Sequence, residues 1–221
     1  MGMFFQWYTG EMKISAPRIA TVLEDGSLDD LLSGDLEDIR LTDIDATNQP
    51  VTSLEVSSVM LDKVTFTAAH FERISVRDLA AKQCDFSAAL MARGAINRAT
   101  FTGCRMTGVD FNKTDLHDVT FTSCKLDVAN FRFADLRRVA FIDCTLTETD
   151  LLGATLYDVT FQSCTLERTV FEQAKCKQVD LRGSQLNELI GWRSLKGAII
   201  DDLQLVTAAP YLAHELGLIV K

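Results

Sequence analysis

The chain has 221 residues, of which 47% are hydrophobic and 24% are charged. This composition belongs to a globular protein with a substantial core, and no apolar run approaches the ~20 residues of a membrane span. The formal net charge of −9 argues against direct nucleic-acid binding, because a nucleic-acid binder needs basic residues that contact the phosphates.

The first predicted element is a short helix near the N-terminus. Residues 1–8 lack the basic start and the small-residue cleavage site of a secretory signal, so we expect a cytoplasmic location. Ser27 is a suitable N-cap for a helix that Gly34 would end. Asp29 and Asp30 fall in the first turn, where acidic side chains are favourable.

From Leu36 onward the chain repeats with a period of five residues. Every fifth residue from Leu36 to Leu186 is apolar, and ten of the 13 Phe residues fall on this phase. The position two residues before each of these is small or apolar, with Gln49 as the clear exception. A period of five belongs neither to a helix nor to a strand. It predicts a chain that turns a corner every five residues and sends two side chains inward between corners.

A second period of 20 residues lies on top of the first. Two sets of side chains recur at this spacing: Cys84, Cys104, Cys124, Cys144 and Cys164, and Phe101, Phe121, Phe141 and Phe161. Four five-residue segments make one four-sided coil, and coils stacked ~4.8 Å apart place like residues above like. Residues 34–189 therefore predict an all-β solenoid of about eight coils.

The repeat gives way to a helical segment at the C-terminus. The phase breaks after Leu186, and Asp201 and Asp202 precede a helical pattern of apolar residues. Pro210 is predicted to start a second short helix, which Gly217 ends. Because the end coils of a solenoid expose apolar edges, both terminal helices are expected to be caps. The chain then divides into an N-terminal cap (1–33), a β-helix (34–200) and a C-terminal module (201–221).

The repeated segments resemble a known family. Ala134-Asp135-Leu136, Val109-Asp110-Phe111 and Ala154-Thr155-Leu156-Tyr157-Asp158 are similar to the A(D/N)LXX pattern of the pentapeptide-repeat family, over roughly residues 34–189. The resemblance implies a right-handed quadrilateral β-helix. It does not fix a function, because one fold hosts many roles.

The C-terminal module carries a finer resemblance. Gly197-Ala198 and the segment from Leu212 to Leu218 resemble the C-terminal helix module of the gyrase-associated members of this family, the Qnr and MfpA types. In those relatives the module forms a two-fold dimer. The resemblance therefore implies a homodimer that buries Leu212, Leu216 and Leu218, and the alternative is an intramolecular cap without a partner.

The chain shows no catalytic or metal-binding motif. The cysteines form one inward column without a CxxC pair, so they are expected to act as small buried hydrophobes rather than as zinc ligands or disulfides. His70, His117 and His214 lie beside no recognised nucleophile motif, and there is no Gly-rich phosphate loop. We therefore expect no enzyme activity, no cofactor and no metal.

The outward columns distinguish this chain from a generic repeat. One column alternates in charge, and opposite charges ~4.8 Å apart should stabilise the rod by a few tenths of a kcal/mol per pair. Its members are Asp78, Arg98, Asp118, Arg138 and Asp158. Another face carries Phe133 and Leu152 with Val170 nearby, which is a candidate protein-binding patch. The alternative is an ordinary scatter of surface hydrophobes.

Two functions remain open from the sequence. The resemblance implies a non-catalytic protein that acts as a DNA mimic on DNA gyrase or another topoisomerase and gives quinolone resistance. Against this, residues 1–60 hold 11 acidic and three basic residues, a net charge of −8, whereas a mimic would spread its charge along the rod. The alternative is a scaffold or regulatory protein with an unrelated protein partner. It would bind through the apolar patch or through the neutral face around Thr100, Thr120 and Thr160.

Overall fold

A computed structural model describes residues 13–51, 53–71 and 73–219 of the chain. Within these residues the strands, in chain order, are β1 (Glu24–Asp25), β2 (Asp35–Glu37), β3 (Ile39–Thr42), β4 (Pro50–Val51), β5 (Leu54–Asp62), β6 (His70–Phe71), β7 (Ile74–Lys82), β8 (Ala95–Thr102), β9 (Asp115–Thr122), β10 (Asp135–Ile142), β11 (Thr155–Gln162) and β12 (Lys175–Asp180). Helix α1 (Leu28–Ser33) follows β1, and a 3-10 helix (Trp192–Leu195) and α2 (Asp202–Glu215) follow β12.

The strands form a parallel β-solenoid of about seven turns, close to the eight predicted. The longest sheet runs in the order β1-β3-β5-β7-β8-β9-β10-β11-β12. Its register is 20 residues, so Phe121 pairs with Phe101 on one side and with Phe141 on the other. Shorter parallel bridges, such as Thr145 with Lys125, continue the ladder on the remaining faces. The 20-residue column structure is confirmed.

The corners explain the period of five. One residue per corner adopts a left-handed backbone conformation, and among the described residues 25 such positions are not glycine, with φ between 51° and 62°. Phe133 (φ 58°) is an example. This conformation costs a non-glycine residue of the order of 1 kcal/mol. The cost is offset because every corner returns the next segment to the ladder and buries two more side chains.

The core lies inside the coils, as predicted. Along the phase that starts at Leu36, every residue whose side chain is described is buried except Cys176, which is half-buried. Aromatic rings stack along the axis, with centroids 4.9 Å apart between Phe121 and Phe141 and again between Phe141 and Phe161. Such offset stacks add to the free energy gained from burial of the rings themselves.

Polar atoms inside the coils donate to backbone carbonyls of the preceding coil. The buried hydroxyl of Thr149 donates to the Leu126 carbonyl at 2.8 Å, and the Cys164 thiol donates to the Phe141 carbonyl at 3.3 Å. All six cysteines are free, and the five in the predicted column are buried. These five therefore fill the core, and their thiols also donate to backbone carbonyls.

The N-terminal cap follows the sequence prediction. Ser27 is the N-cap of α1: its hydroxyl accepts from the Asp30 amide, and the Asp30 carboxylate accepts from the Ser27 amide at 2.7 Å. Gly34 ends the helix in a left-handed conformation (φ 84°). This reciprocal capping box satisfies two backbone donors that a helix start leaves free.

The C-terminal helix closes the last coil. Asp201 and Gln204 form a second capping box, and the buried side-chain amide of Gln204 donates to the carbonyls of Leu181 and Ser184. One side chain therefore caps both the helix and the end of the solenoid.

One prediction about α2 was wrong. Pro210 does not start a second helix but lies inside a single helix that is continuous over Asp202–Glu215. Proline lacks the amide that would bond the carbonyl four residues earlier, which belongs to Val206. Because Val206 is 70% exposed, water can reach this carbonyl, and the helix continues. Gly217 (φ 69°) lies beyond the end of the helix and donates to the His214 carbonyl, as predicted.

Candidate interaction surfaces

The predicted apolar patch lies on three consecutive coils. Phe133 occupies a corner and is 50% exposed, while Leu152 and Val170 are half-buried on the face beside it. The Phe133 amide donates to the Leu152 carbonyl at 3.0 Å, so the two residues lie on adjacent coils. The sequence named three residues of this surface, and two of them, Leu152 and Val170, are less exposed than an outward position implies.

Gly153 supports the Phe133 ring. It follows Phe133 in the same corner column, and a Cβ at Gly153 would lie 2.6 Å from two carbons of that ring. The Phe133 ring therefore occupies the space that a side chain at position 153 would need. This contact fixes the orientation of the most exposed aromatic residue of the patch.

The sequence analysis missed one member of this surface. Ile190 pairs with Val170 in the ladder and is 42% exposed. Ile190 lies after Leu186, where the five-residue phase breaks, so the repeat pattern does not identify it as part of the outward column. Nearby, Arg132 and Asp150 form an ion pair of 3.6 Å at the edge of the patch. We call Phe133, Leu152, Val170 and Ile190 the apolar patch.

A second apolar surface lies on α2 and the residues after it. Of the three residues predicted to dimerise, Leu216 and Leu218 are largely exposed, whereas Leu212 is partly buried and packs against the core. Leu203 and Val206, which the prediction did not include, are 74% and 70% exposed. We call Leu203, Val206, Leu216 and Leu218 the α2 surface.

The alternating column forms paired ions, as predicted. Arg98 donates two hydrogen bonds of 2.6 Å to the carboxylate of Asp78, and Arg138 donates two of 2.8 Å to Asp118. These hydrogen bonds lower the pKa of both aspartates, against the opposing effect of burial. Both carboxylates therefore stay ionised although little of either residue is exposed.

Negative charge is concentrated near the N-terminal end of the described solenoid. Ten acidic residues between positions 13 and 60 are exposed: Glu24, Asp25, Asp29, Asp30, Asp35, Glu37, Asp38, Asp43, Asp45 and Glu55. The described basic residues of this segment are Lys13, Arg18 and Arg40. Arg40 forms a long ion pair of 3.8 Å with the exposed Asp25. Such a pair is largely screened by solvent, so this end keeps a negative field.

The cysteine and histidine side chains do not converge on a reactive site. Burial raises the pKa of the Cys176 thiol to about 11, and interactions with the neighbouring Cys124 and Cys84 thiols, together with burial, raise the pKa of Cys104. His117 lies in an outward column beside Arg137, as predicted, with its Nε2 atom buried. In the part of the chain that the structure describes, no three His, Cys, Asp or Glu residues cluster as metal ligands would.

None of the described helices combines the length and apolarity that a membrane span requires.

Comparisons with known proteins agree with this architecture. A family model described as a pentapeptide repeat region matches residues 80–141 and 114–190. Two trypsin-treated variants of QnrB1 are similar in structure, each with 20% identity and a TM-score of 0.59. One alignment covers 85% of this chain and 90% of QnrB1, and the other covers 92% and 98%. HetL from the cyanobacterium Nostoc sp. is more distant, with 19% identity, a TM-score of 0.45, and coverage of 76% of this chain and 90% of HetL. No curated protein sequence matches at a significant level.

Proposed function

The chain belongs to the pentapeptide-repeat family, and from this premise we propose that it is a non-catalytic rod that binds DNA gyrase or a related topoisomerase and protects it from quinolone-type or peptide poisons. The proposal places the protein in the cytoplasm with its target. It needs no cofactor, because the rod acts by occupying a surface of the enzyme.

The observation that carries this proposal is the likeness to QnrB1, a plasmid-mediated fluoroquinolone resistance protein. The likeness extends over 92% of this chain and 98% of the trypsin-treated QnrB1 chain.

The charge distribution supports a contact at the N-terminal end of the rod. Near this end ten exposed acids face only three described basic residues, and a basic DNA-binding surface would attract this excess negative charge. The ion-paired column farther along the rod neutralises its own charge. The proposed mimicry therefore concerns one end of the rod and not its full length.

We further propose that two copies associate through the α2 surface. Its four residues present apolar side chains to solvent at the C-terminal end of the coil stack. A two-fold contact would bury the same residues on both copies. It would also place an acidic end at each tip of a longer rod.

A supercoiling assay tests the topoisomerase proposal. Purified DNA gyrase is inhibited with a fluoroquinolone, and the protein is added at micromolar concentration. We expect supercoiling to recover with wild-type protein. We expect loss of this effect when three exposed N-terminal acids are neutralised together, as Asp35→Asn, Glu37→Gln and Asp43→Asn.

A matched control removes the same charge elsewhere. Asp143→Asn, Glu172→Gln and Asp202→Asn neutralise three exposed acids farther along the rod. Recovery with this control but not with the N-terminal variant would locate the contact. If wild-type protein neither restores nor inhibits supercoiling at micromolar concentration, the topoisomerase proposal is rejected.

The apolar patch favours a second candidate function, a scaffold or regulatory protein with an unrelated protein partner. Neighbouring apolar residues that are exposed (Phe133, Ile190) or half-buried (Leu152, Val170) are typical of protein-binding surfaces. Phe133→Asp should abolish capture of such a partner in a pull-down. Val128→Asp, at an exposed corner with the same left-handed backbone, is the control. Unchanged capture by the Phe133 variant would exclude the patch.

A further inference from the structure

A segment before β1 lies along the outside of the rod. Residues 13–23, which we call the strap, have no helix or strand, and three of their backbone amides donate to side chains of distant coils. Ser15 donates to Asp118 at 3.1 Å, Arg18 to Asp78 at 2.8 Å, and Ala20 to the Ser58 hydroxyl at 2.8 Å. The strap therefore runs along the axis, opposite to the order of the coils.

The acceptors form one corner column. Ser58, Asp78 and Asp118 all occupy corner positions with a left-handed backbone, separated by multiples of 20 residues. The column continues to Asp158, so its carboxylates recur on every second coil. We call this column the track.

The spacing of the track matches that of an extended peptide. Asp78 and Asp118 are two coils apart, or about 9.6 Å at the usual distance between strands. The three residues from Ser15 to Arg18 span about 10 Å when extended. An extended chain can therefore place one amide on a carboxylate at every third residue.

The two carboxylates are held in position before any peptide binds. Arg98 and Arg138 each hold one carboxylate through two hydrogen bonds. These bonds also fix the position of the carboxylate oxygen that accepts a hydrogen bond from a strap amide. The acceptor oxygen of Asp78 takes bonds from both Arg98 and the Arg18 amide. A preorganised acceptor loses little entropy when it binds a donor.

The strap itself is held weakly. None of its residues is fully buried: five are half-buried, among them Ile14, Ile19 and Leu23, so the strap is held by three amide hydrogen bonds and partial apolar contacts. A net contribution of about 0.5–1.5 kcal/mol is typical of one such bond, and up to about 3 kcal/mol where the acceptor is charged. A segment attached in this way opens far more readily than the coils beneath it.

We propose that the track is a binding site for an extended peptide segment of a partner protein, and that the strap occupies it in the isolated chain as an intramolecular ligand that the partner segment displaces. Recognition is through backbone amides. The track therefore selects an extended segment with three free amides, spaced along the chain as those of Ser15, Arg18 and Ala20 are. The track is separate from the apolar patch and the α2 surface, and the inference does not depend on a topoisomerase.

The test uses the full chain and a labelled peptide of residues 13–23. In one variant, Ser15→Pro and Ala20→Pro remove two of the three donors. In the matched control, Ala16→Pro and Thr21→Pro place the same number of prolines where the amides make no hydrogen bond to the track. Circular dichroism checks that both keep the solenoid, which is expected because the strap lies outside the coils.

Fluorescence anisotropy then measures binding of the peptide. A tethered segment has an effective concentration of about 1 mM, so its loss should tighten the apparent affinity of the peptide at least tenfold in the Ser15→Pro/Ala20→Pro variant. Wild type and the control variant should bind weakly. A peptide that carries the Ser15→Pro and Ala20→Pro changes should not bind any of the proteins.

Three results would overturn the inference. Equal binding to wild type and the Ser15→Pro/Ala20→Pro variant would mean that the strap does not compete for the track. Equal binding to both proline variants would mean that the three amides do not hold the strap. Absence of binding to every protein up to millimolar peptide would mean that the track is not a peptide site.

Discussion

The ring of Phe141 stacks on that of Phe121, with centroids 4.9 Å apart and planes within 5° of parallel. Phe161 stacks on the opposite side at the same distance. Removal of the middle ring leaves a cavity between two others that cannot close, because the ladder holds their backbones in register. Phe141→Ala should therefore destabilise the protein by about 3–5 kcal/mol.

Thermal unfolding measures this effect. For a chain of this size the midpoint should fall by roughly 6–20 °C. Phe133→Ala is the control, because it removes the same side chain from an exposed corner and should change stability by about 0.5 kcal/mol or less. Similar shifts for the two variants would contradict the axial stack as a main source of stability.

Gly153 and Phe133 should be energetically coupled. Gly153→Ala puts a methyl group against the Phe133 ring and also strains a left-handed backbone position (φ 66°). We expect the substitution to destabilise the wild-type chain by about 1–3 kcal/mol and to cost less in a Phe133→Ala background, where only the strain remains. Chemical denaturation of the four proteins in this double-mutant cycle gives the coupling energy.

Gly108 provides the reference for strain alone. It has a similar left-handed conformation (φ 68°), and a Cβ there would meet no atom within 4 Å. Gly108→Ala should therefore show only the backbone cost. If Gly153→Ala costs the same as Gly108→Ala, the ring moves aside freely, and the orientation of Phe133 is not fixed by Gly153.

The core was predictable because each inward position repeats the same physical requirement. A five-residue phase starting at Leu36 identifies the buried side chains. Each of them points into a coil, where only other core side chains surround it, so each must be apolar. The cap at Ser27 was predictable for a similar reason, because its capping signals are local in the sequence. Pro210 was misleading because its helix-breaking tendency is a local preference, and a helix tolerates it where the residue four positions earlier, Val206, is exposed.

The strap could not be predicted from the sequence. The donors at Ser15 and Arg18 are backbone amides, which every residue except proline has, so they leave no side-chain signal. The acceptors lie up to 103 residues away. The sequence did identify Asp78 and Asp118 as members of a charged column, but their role as acceptors for another segment depends on the path of the chain.

The paired column predicts a loss of stability in acid. The pKa of Asp118 is lowered in the folded protein, chiefly by the hydrogen bonds from Arg138. Its contribution is therefore complete at pH values above the unfolded pKa of about 3.9 and is lost as the pH falls through the lower, folded pKa. Unfolding midpoints recorded from pH 6 to pH 2 should fall steeply below about pH 4.

Asp118→Asn tests the origin of that dependence. The variant should be about 1 kcal/mol less stable at pH 7 and should lose less stability than wild type between pH 4 and pH 2. Asp143→Asn, at an exposed corner, should leave the wild-type profile unchanged. An identical acid profile for wild type and Asp118→Asn would show that the pair does not contribute to this loss.

The proposed dimer predicts different effects for neighbouring leucines. Leu216 and Leu218 are exposed, so Leu216→Glu with Leu218→Glu should leave the fold intact and convert a dimer into a monomer of 24.5 kDa. Leu212 packs partly against the core, so Leu212→Ala should instead lower the thermal midpoint. Sedimentation velocity at micromolar protein distinguishes the two effects, and Val128→Glu, on an exposed corner of the coils, should remain dimeric. If the wild-type protein is monomeric, the dimer proposal is rejected and α2 is only an intramolecular cap. That role needs no second copy, because Gln204 already donates hydrogen bonds to the last coil of the same chain.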